Sequence, residues 1–236
     1  WWQGRTLMFG YGLGENVIAD SSYKTIAVVR AGNGLQADEH EFKLTRQGSA
    51  WVIAYSPVQT SLASAGGPAS GIVLDCVIQQ IDIRTGLVMW EWHSLGHVDV
   101  SESFSKPPGL QTNAYDYFHL NSLDTDSRGK ILISARNTSA LNQLNPRTGA
   151  TEWTLGGKKS TFTLAPGVQF FYQHNALWLP NGEISLYDDE GSPPVKPPSR
   201  GEVIKLDVAA KTATLADQFV RTPGVLSFCC GSAQSL

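Results

Sequence analysis

Asp116 to Arg136 reads DYFHLNSLDTDSRGKILISAR: an apolar run, a turn, and a second apolar run. Asp126-Ser127-Arg128-Gly129 supplies the residues of a tight reversal, so the stretch is expected to fold as strand, turn, strand. On the first strand His119 and Asn121 are two apart and are expected to share a face, because strand side chains alternate. The returning strand, Lys130 to Arg136, ends in a cation where another aliphatic residue would be ordinary. Taken alone, the unit reads as a hydrogen-bonded histidine beside a surface arginine.

The unit recurs, and recurrence changes its meaning. ADEHEFKLTRQG from Ala37 to Gly48 and FYQHNALWLPNG from Phe171 to Gly182 each open an apolar strand with a histidine and close it with a glycine turn. The spacings are His40 to Gly48, His119 to Gly129 and His174 to Gly182. A second block follows the first two units: QQIDIRTGLVMWEW (Gln79 to Trp92) and NQLNPRTGATEWTL (Asn142 to Leu155), each with an Arg-Thr-Gly turn and a tryptophan four residues past the glycine. Val203 to Leu215, VIKLDVAAKTATL, is a weaker copy. Repeats of roughly 40 to 55 residues built from four short strands are the signature of propeller blades. The fold expected is all-β, a single β-propeller domain over residues 1–236, with about three complete four-stranded blades, a hairpin before them (NVIAD and TIAVVRA) and a tail after. Closed propellers need at least four blades, so the domain reads as incomplete at both ends. If the His-bearing strands are innermost, three imidazoles converge at one end of the central axis.

Composition narrows the partners. The chain has 236 residues, 42% hydrophobic and 17% charged, with 23 glycines and seven tryptophans, enough for a large core and too apolar for disorder. A net charge of −3 gives no basic footprint, which argues against nucleic acid. No apolar run is long enough to span a bilayer, and no helical period with caps is sustained anywhere. The chain opens at Trp1 without an initiator methionine or a charged-then-apolar leader, the mark of a processed or truncated product. With the Asn137-Thr138-Ser139 sequon, a secreted protein or one on the secretory route is expected. Cys76, Cys229 and Cys230 do not make a disulfide framework, and their pairing stays open.

DEHEF at 38–42, VIQQIDIRTG at 77–86, HLNS at 119–122, SAR at 134–136, LNPRTGATEWTLGG at 144–157 and QHNA at 173–176 together resemble the arylsulfotransferase family, in particular its fungal and actinobacterial branch. The resemblance runs the whole chain in order. It implies a six-bladed propeller that moves a sulfuryl group from a phenolic sulfate ester to a phenol acceptor through a sulfated histidine, without a nucleotide donor or other cofactor. Carried over by position, His174 is the nucleophile, His119, Asn121 and Arg136 surround the sulfuryl oxygens, and His40 contributes from the earlier blade.

The residues themselves leave rivals. Three histidines on three strands suit a metal such as zinc or copper, although an arginine at the same centre favours an anion, so no metal is expected. A binding module with hydrogen-bonded core histidines, and a propeller enzyme of secondary metabolism using the same channel, also fit. Tyr117, Phe118, Phe170, Phe171 and Tyr172 flank the histidines as an aryl lining or as core. His93 and His97 lie outside the repeat register and read as structural or surface residues. Asp188 and Asp189 read as a solvated turn.

Overall fold

The computed structural model describes residues 2–5 (backbone alone), 14–109, 113–190, 198–227 and 229–234. The glycine-rich opening, apart from the strand at 2–5, and most of the Pro-rich loop that follows Glu190 fall outside the described residues. The strands are β1 (Trp2–Arg5), β2 (Glu15–Ala19), β3 (Thr25–Val29), β4 (Ala37–Leu44), β5 (Ser49–Thr60), β6 (Gly71–Asp82), β7 (Val88–His93) and β8 (Ala114–Tyr115). They continue with β9 (Leu120–Thr125), β10 (Ile131–Ala135), β11 (Ala140–Leu144), β12 (Thr151–Gly156), β13 (Thr163–Leu164), β14 (His174–Trp178), β15 (Ile184–Asp188), β16 (Arg200–Asp207) and β17 (Thr212–Val220). Among the described residues the helical elements are single 3-10 turns at Ala63–Ala65 and Val100–Glu102.

The strands form four sheets: β1-β2-β3, β4-β5-β6-β7 with β8 on β6, β9-β10-β11-β12, and β14-β15-β16-β17 with β13 on β17. Three of these are four-stranded antiparallel meanders, the blades of a β-propeller. The histidine units expected from sequence are the first strands β4, β9 and β14, and the Arg-Thr-Gly blocks are the β6–β7 and β11–β12 reversals. Asp82 and Asn145 hold those turns as expected: Asp82 Oδ1 accepts from Thr85 N (2.7 Å), and Asn145 Oδ1 accepts from Arg147 N (3.0 Å).

Within KILISAR the strand β10, ILISA, is apolar at every position but Ser134 because both of its faces are covered. All five residues of the strand are buried. Ile131, Ile133 and Ala135 enter one core with Trp92, Phe118 and Leu123, while Leu132 enters the next with Leu141, Trp153 and Leu155. A period of two thus feeds two inter-blade cores from one strand. Each fully buried aliphatic contributes about 1.5–3 kcal/mol.

The first strands are laced across blades by side chains. Tyr55 Oη donates to Leu120 O (2.6 Å) and Leu123 N donates to Glu41 (3.2 Å). Asp124 accepts from both Lys43 Nζ and Trp178 N, and Ser122 Oγ accepts from Ala176 N (3.0 Å). Polar side chains therefore do between blades what ladder bonds do within them.

Two readings change once the strands pair: the stretch from 57 to 71, PVQTSLASAGGPASG, which by its Pro, Gly and Ser content reads as a loop, and the Asp188-Asp189 turn. Pro57 to Thr60 continue β5 and pair with β6 from Leu74 to Gly71. Proline is tolerated there because β4 stops pairing at Ala54, leaving that side of β5 an edge. Asp188 and Asp189 are fully buried, not a solvated turn. Of the two readings of the flanking aromatics, core is the one that holds for Tyr117, Phe118, Phe170 and Tyr172, all of them buried.

Gly156, at the end of β12, has φ +78°, and a Cβ there would lie 2.8 Å from both Ser139 O and the Phe170 ring. A left-handed backbone costs an L-residue about 1–2 kcal/mol and overpacking about 1–3 more. Gly156→Ala is therefore expected to lower the thermal midpoint by several degrees, measured by calorimetry against Gly182→Ala, which has φ +84° but open space around it.

Candidate active site

Each histidine stands where its strand is out of regular register. The β4–β5 pairing is irregular between Ala37 and Phe42, the span that holds His40. Pairing of β14 with β15 shifts between His174 and Leu177, and that of β9 with β10 at Ala135 opposite Leu120. Bulges re-aim side chains out of the pleat. His119 is not on β9 but one residue before it, at φ +55°, so it and Asn121 do not share a strand face as expected. Its carbonyl accepts from Arg136 N (3.0 Å), and Arg136 is one residue past β10 in the turn whose Ser139 N returns to Arg136 O.

The three imidazoles meet. One ring nitrogen of each of His40, His119 and His174 lies within 4.8 Å of the others. The His40 ring centroid is 5.1 Å from that of His119, nearly edge-on, and 6.3 Å from that of His174, nearly parallel. His174 is buried and the other two are partly open.

Every one of them is held by a carboxylate. His40 Nδ1 lies 2.5 Å from Asp38 Oδ1, His174 Nδ1 lies 2.5 Å from Asp189 Oδ2, and His119 Nδ1 is bonded to Asp116 Oδ2. A carboxylate oxygen only accepts, so Nδ1 carries the hydrogen in each ring and Nε2 is left with the lone pair when the ring is neutral. A second acceptor, Tyr172 O at 3.1 Å, holds His174 Nδ1 in the same sense. Burial opposes a charge on His40, but the hydrogen bond and charge of Asp38, with Glu39 and Asp116, outweigh it and raise its pKa. His93 is different: Asp75 and Glu91 occupy both its nitrogens, at 2.6 and 3.1 Å, as befits a structural residue.

The two remaining candidates flank this cluster. Asn121 is buried and its Nδ2 donates to Gln173 O (2.9 Å), tying β9 to the residue before His174. Gln173, fully buried, donates to Ser134 Oγ, Ala135 O and Ala140 O, which fixes the backbone leading into His174. Arg136 lays its guanidinium over the Tyr172 ring, 4.2 Å from the centroid, and donates to Asn137 Oδ1 (3.1 Å). Asn137 in turn donates to Asp116 O (2.6 Å). The asparagine of the sequon is thus buried and wired to the site, not presented to solvent.

The residues sequence reasoning missed are the three aspartates. Asp38 and Asp116 precede their histidines by two and three residues in DEHEF and DYFH, a local pattern that was available. Asp189 comes fifteen residues after His174, and only the pairing of β14 with β15 brings it back.

The fold and this cluster define a β-propeller with three carboxylate-anchored histidines gathered from three successive blades. The sequence matches the Arylsulfotransferase (ASST) family over residues 1–236, and the chain belongs to that family. No functionally curated protein matches it. Solved structures similar to it include a protein of unknown function from Bacteroides caccae, at 11% identity and TM-score 0.36, covering 89% of this chain and 70% of that one. The Dos1 propeller is 12% identical with TM-score 0.40, covering 87% and 42%. An auxiliary nutrient binding protein from Bacteroides ovatus is 10% identical with TM-score 0.41, covering 89% and 38%. The chain thus spans less than half the length of the last two.

Proposed function

We propose that the protein is an aryl sulfotransferase that moves a sulfuryl group from a phenolic sulfate ester to a phenol through a sulfohistidine at His174. The observation that carries this reading, within the family, is the anchoring of His174 Nδ1 by Asp189 and Tyr172 O, which leaves Nε2 as a fixed nucleophile in a buried setting. In the first half-reaction Nε2 attacks sulfur, the bond from sulfur to the aryl oxygen breaks, and the phenolate leaves with the electron pair and takes a proton. His40, in which the acidic neighbours favour the protonated ring, is the donor of that proton. In the second, an acceptor phenol loses its proton to the same imidazole, its oxygen attacks sulfur, and the bond from Nε2 to sulfur breaks.

The carboxylate of Asp189 has a second use. Sulfation at Nε2 makes the ring cationic while Nδ1 keeps its hydrogen, and the paired carboxylate offsets that charge. The second amide hydrogen of Asn121 and the Arg136 guanidinium are the donors assigned to the nonbridging oxygens, where charge gathers in a loose transition state, and His119 adds Nε2–H as a third when its ring carries both hydrogens.

The test is incubation with 4-nitrophenyl sulfate followed by intact-mass analysis. Wild type is expected to gain one sulfuryl mass and release nitrophenol, and His174→Ala to do neither. Turnover without an adduct, or an adduct that survives in His174→Ala, overturns the assignment of the nucleophile.

A further inference from the structure

The device that sharpens His174 is also the one that builds a metal site. Imidazoles that ligate metals donate their other ring N–H to a carboxylate or carbonyl, which sets ring orientation and raises the basicity of the ligating nitrogen. All three histidines of the cluster have that partner, from three different blades. Two of the three partners are buried carboxylates, Asp38 and Asp189. His93 and His97, elsewhere in the chain, present no such grouping: His93 is engaged at both nitrogens and His97 Nδ1 lies against His93 O.

Charge and size agree. Three carboxylates formally carry −3, and Arg136, stacked on Tyr172 and linked through Asn137 to the Asp116 backbone, offsets one unit. A tetrahedral zinc ion with bonds to nitrogen of 2.0–2.1 Å places its ligands about 3.4 Å apart. The ring nitrogens lie within 4.8 Å of one another, and small rotations about the side-chain bonds bring them together. Three neutral nitrogen ligands leave a fourth position open.

We propose that His40, His119 and His174 form a three-imidazole site for a divalent transition-metal ion of the zinc type, and that the ion and the sulfuryl group exclude one another. Both need Nε2 of His174. The protein therefore has two states, metal-free and competent for sulfuryl transfer, or metal-bound and closed to it. The metal site goes beyond the sulfotransferase reading and stands on its own geometry; the exclusion rests on that reading.

The probes are cobalt and zinc. Protein stripped with a chelator is titrated with Co2+, whose visible bands report tetrahedral coordination, and with Zn2+ by calorimetry. One ion per chain is expected, with tetrahedral bands, lost in His119→Ala and kept in His97→Ala. Asp189→Asn, which retains shape, is expected to weaken binding by about 10- to 100-fold. Octahedral cobalt spectra, the absence of a one-to-one site in wild type, or an unchanged site in a folded His119→Ala overturns the metal site. Exclusion is read separately by intact mass after 4-nitrophenyl sulfate: an equal sulfuryl gain with and without Zn2+ overturns it. An adduct missing from both samples refutes the sulfohistidine and with it the exclusion, and leaves the cobalt result to decide the metal site.

Discussion

Asp189→Asn is expected to lower kcat for aryl sulfate turnover by about 10²- to 10⁴-fold, with KM nearly unchanged and the fold retained. Asparagine is the same shape, so packing around the buried position survives. What changes is hydrogen bonding. The carboxylate accepts from His174 Nδ1 at 2.5 Å and so fixes the hydrogen on that nitrogen. An amide that turns its NH2 toward Nδ1 reverses this, placing the hydrogen on Nε2 and removing the lone pair that attacks sulfur. Even with its carbonyl toward the ring, the amide no longer offsets the charge of the sulfated imidazolium. The loss should appear in single-turnover formation of the adduct as well as in steady state, and Asp189→Glu should recover part of it. Equal rates for wild type and Asp189→Asn would show that Asp189 only fills space.

The second large effect belongs to stability. Directly next to Asp189, Asp188, Glu190 and Glu202 are buried around one guanidinium. Arg200 Nε donates to Asp188 Oδ2 (3.3 Å), and its Nη2 is bonded to Glu202 Oε1 and 4.0 Å from Glu190 Oε1. Arg200 also donates to Gly167 O, Gln169 O and Gln218 Oε1, so it braces the last blade as well as balancing charge. Arg200→Met is expected to cost about 3–5 kcal/mol, because it leaves the buried carboxylates without their cation.

One cation does not serve three carboxylates, and the cluster answers by holding protons. Burial, with the neighbouring charge of Asp188, pushes Glu190 up to about 8 despite Arg200. Burial likewise takes Glu202 to about 8, against Arg200 and with Asp188 and Glu190 adding to the rise. The folded protein then binds these protons more tightly than the unfolded chain. Their contribution to stability is full below the ordinary glutamate pKa and is lost as pH rises toward about 8. The slope is about 1.4 kcal/mol per pH unit for each group that titrates alone, and less for two that share a site. Thermal midpoints measured from pH 5 to 9 should therefore fall with pH, by about 2–4 °C for each kcal/mol lost. Glu202→Gln should flatten the fall and raise the midpoint at pH 8. A midpoint that climbs across this range contradicts the proton-holding cluster.

Much of this molecule is written locally. The turn residues at Asp126 to Gly129 and the Arg-Thr-Gly blocks mark where strands reverse, and the repeat of histidine, apolar run and glycine marks the start of each complete blade. Strand pairing in a meander joins neighbours in sequence, so its signals lie close together. That is why the blades, and the gathering of His40, His119 and His174 from their first strands, are legible in the chain alone.

What depends on distance is not legible. The left-handed turn that takes His119 off its strand follows from pairing with Arg136, and Asn121 finds its partner in Gln173, fifty-two residues away. Asp189 looks like a turn residue until β14 and β15 pair and bury it against His174. Burial and partnership belong to the packed state: a carboxylate is a solvated turn or the anchor of an imidazole according to what the neighbouring strand and blade place beside it. Sequence by itself determined the blades and the kind of side chain at their axis; the tertiary structure decided which nitrogen of each histidine is free to react, because only packing brings the carboxylates that occupy the other.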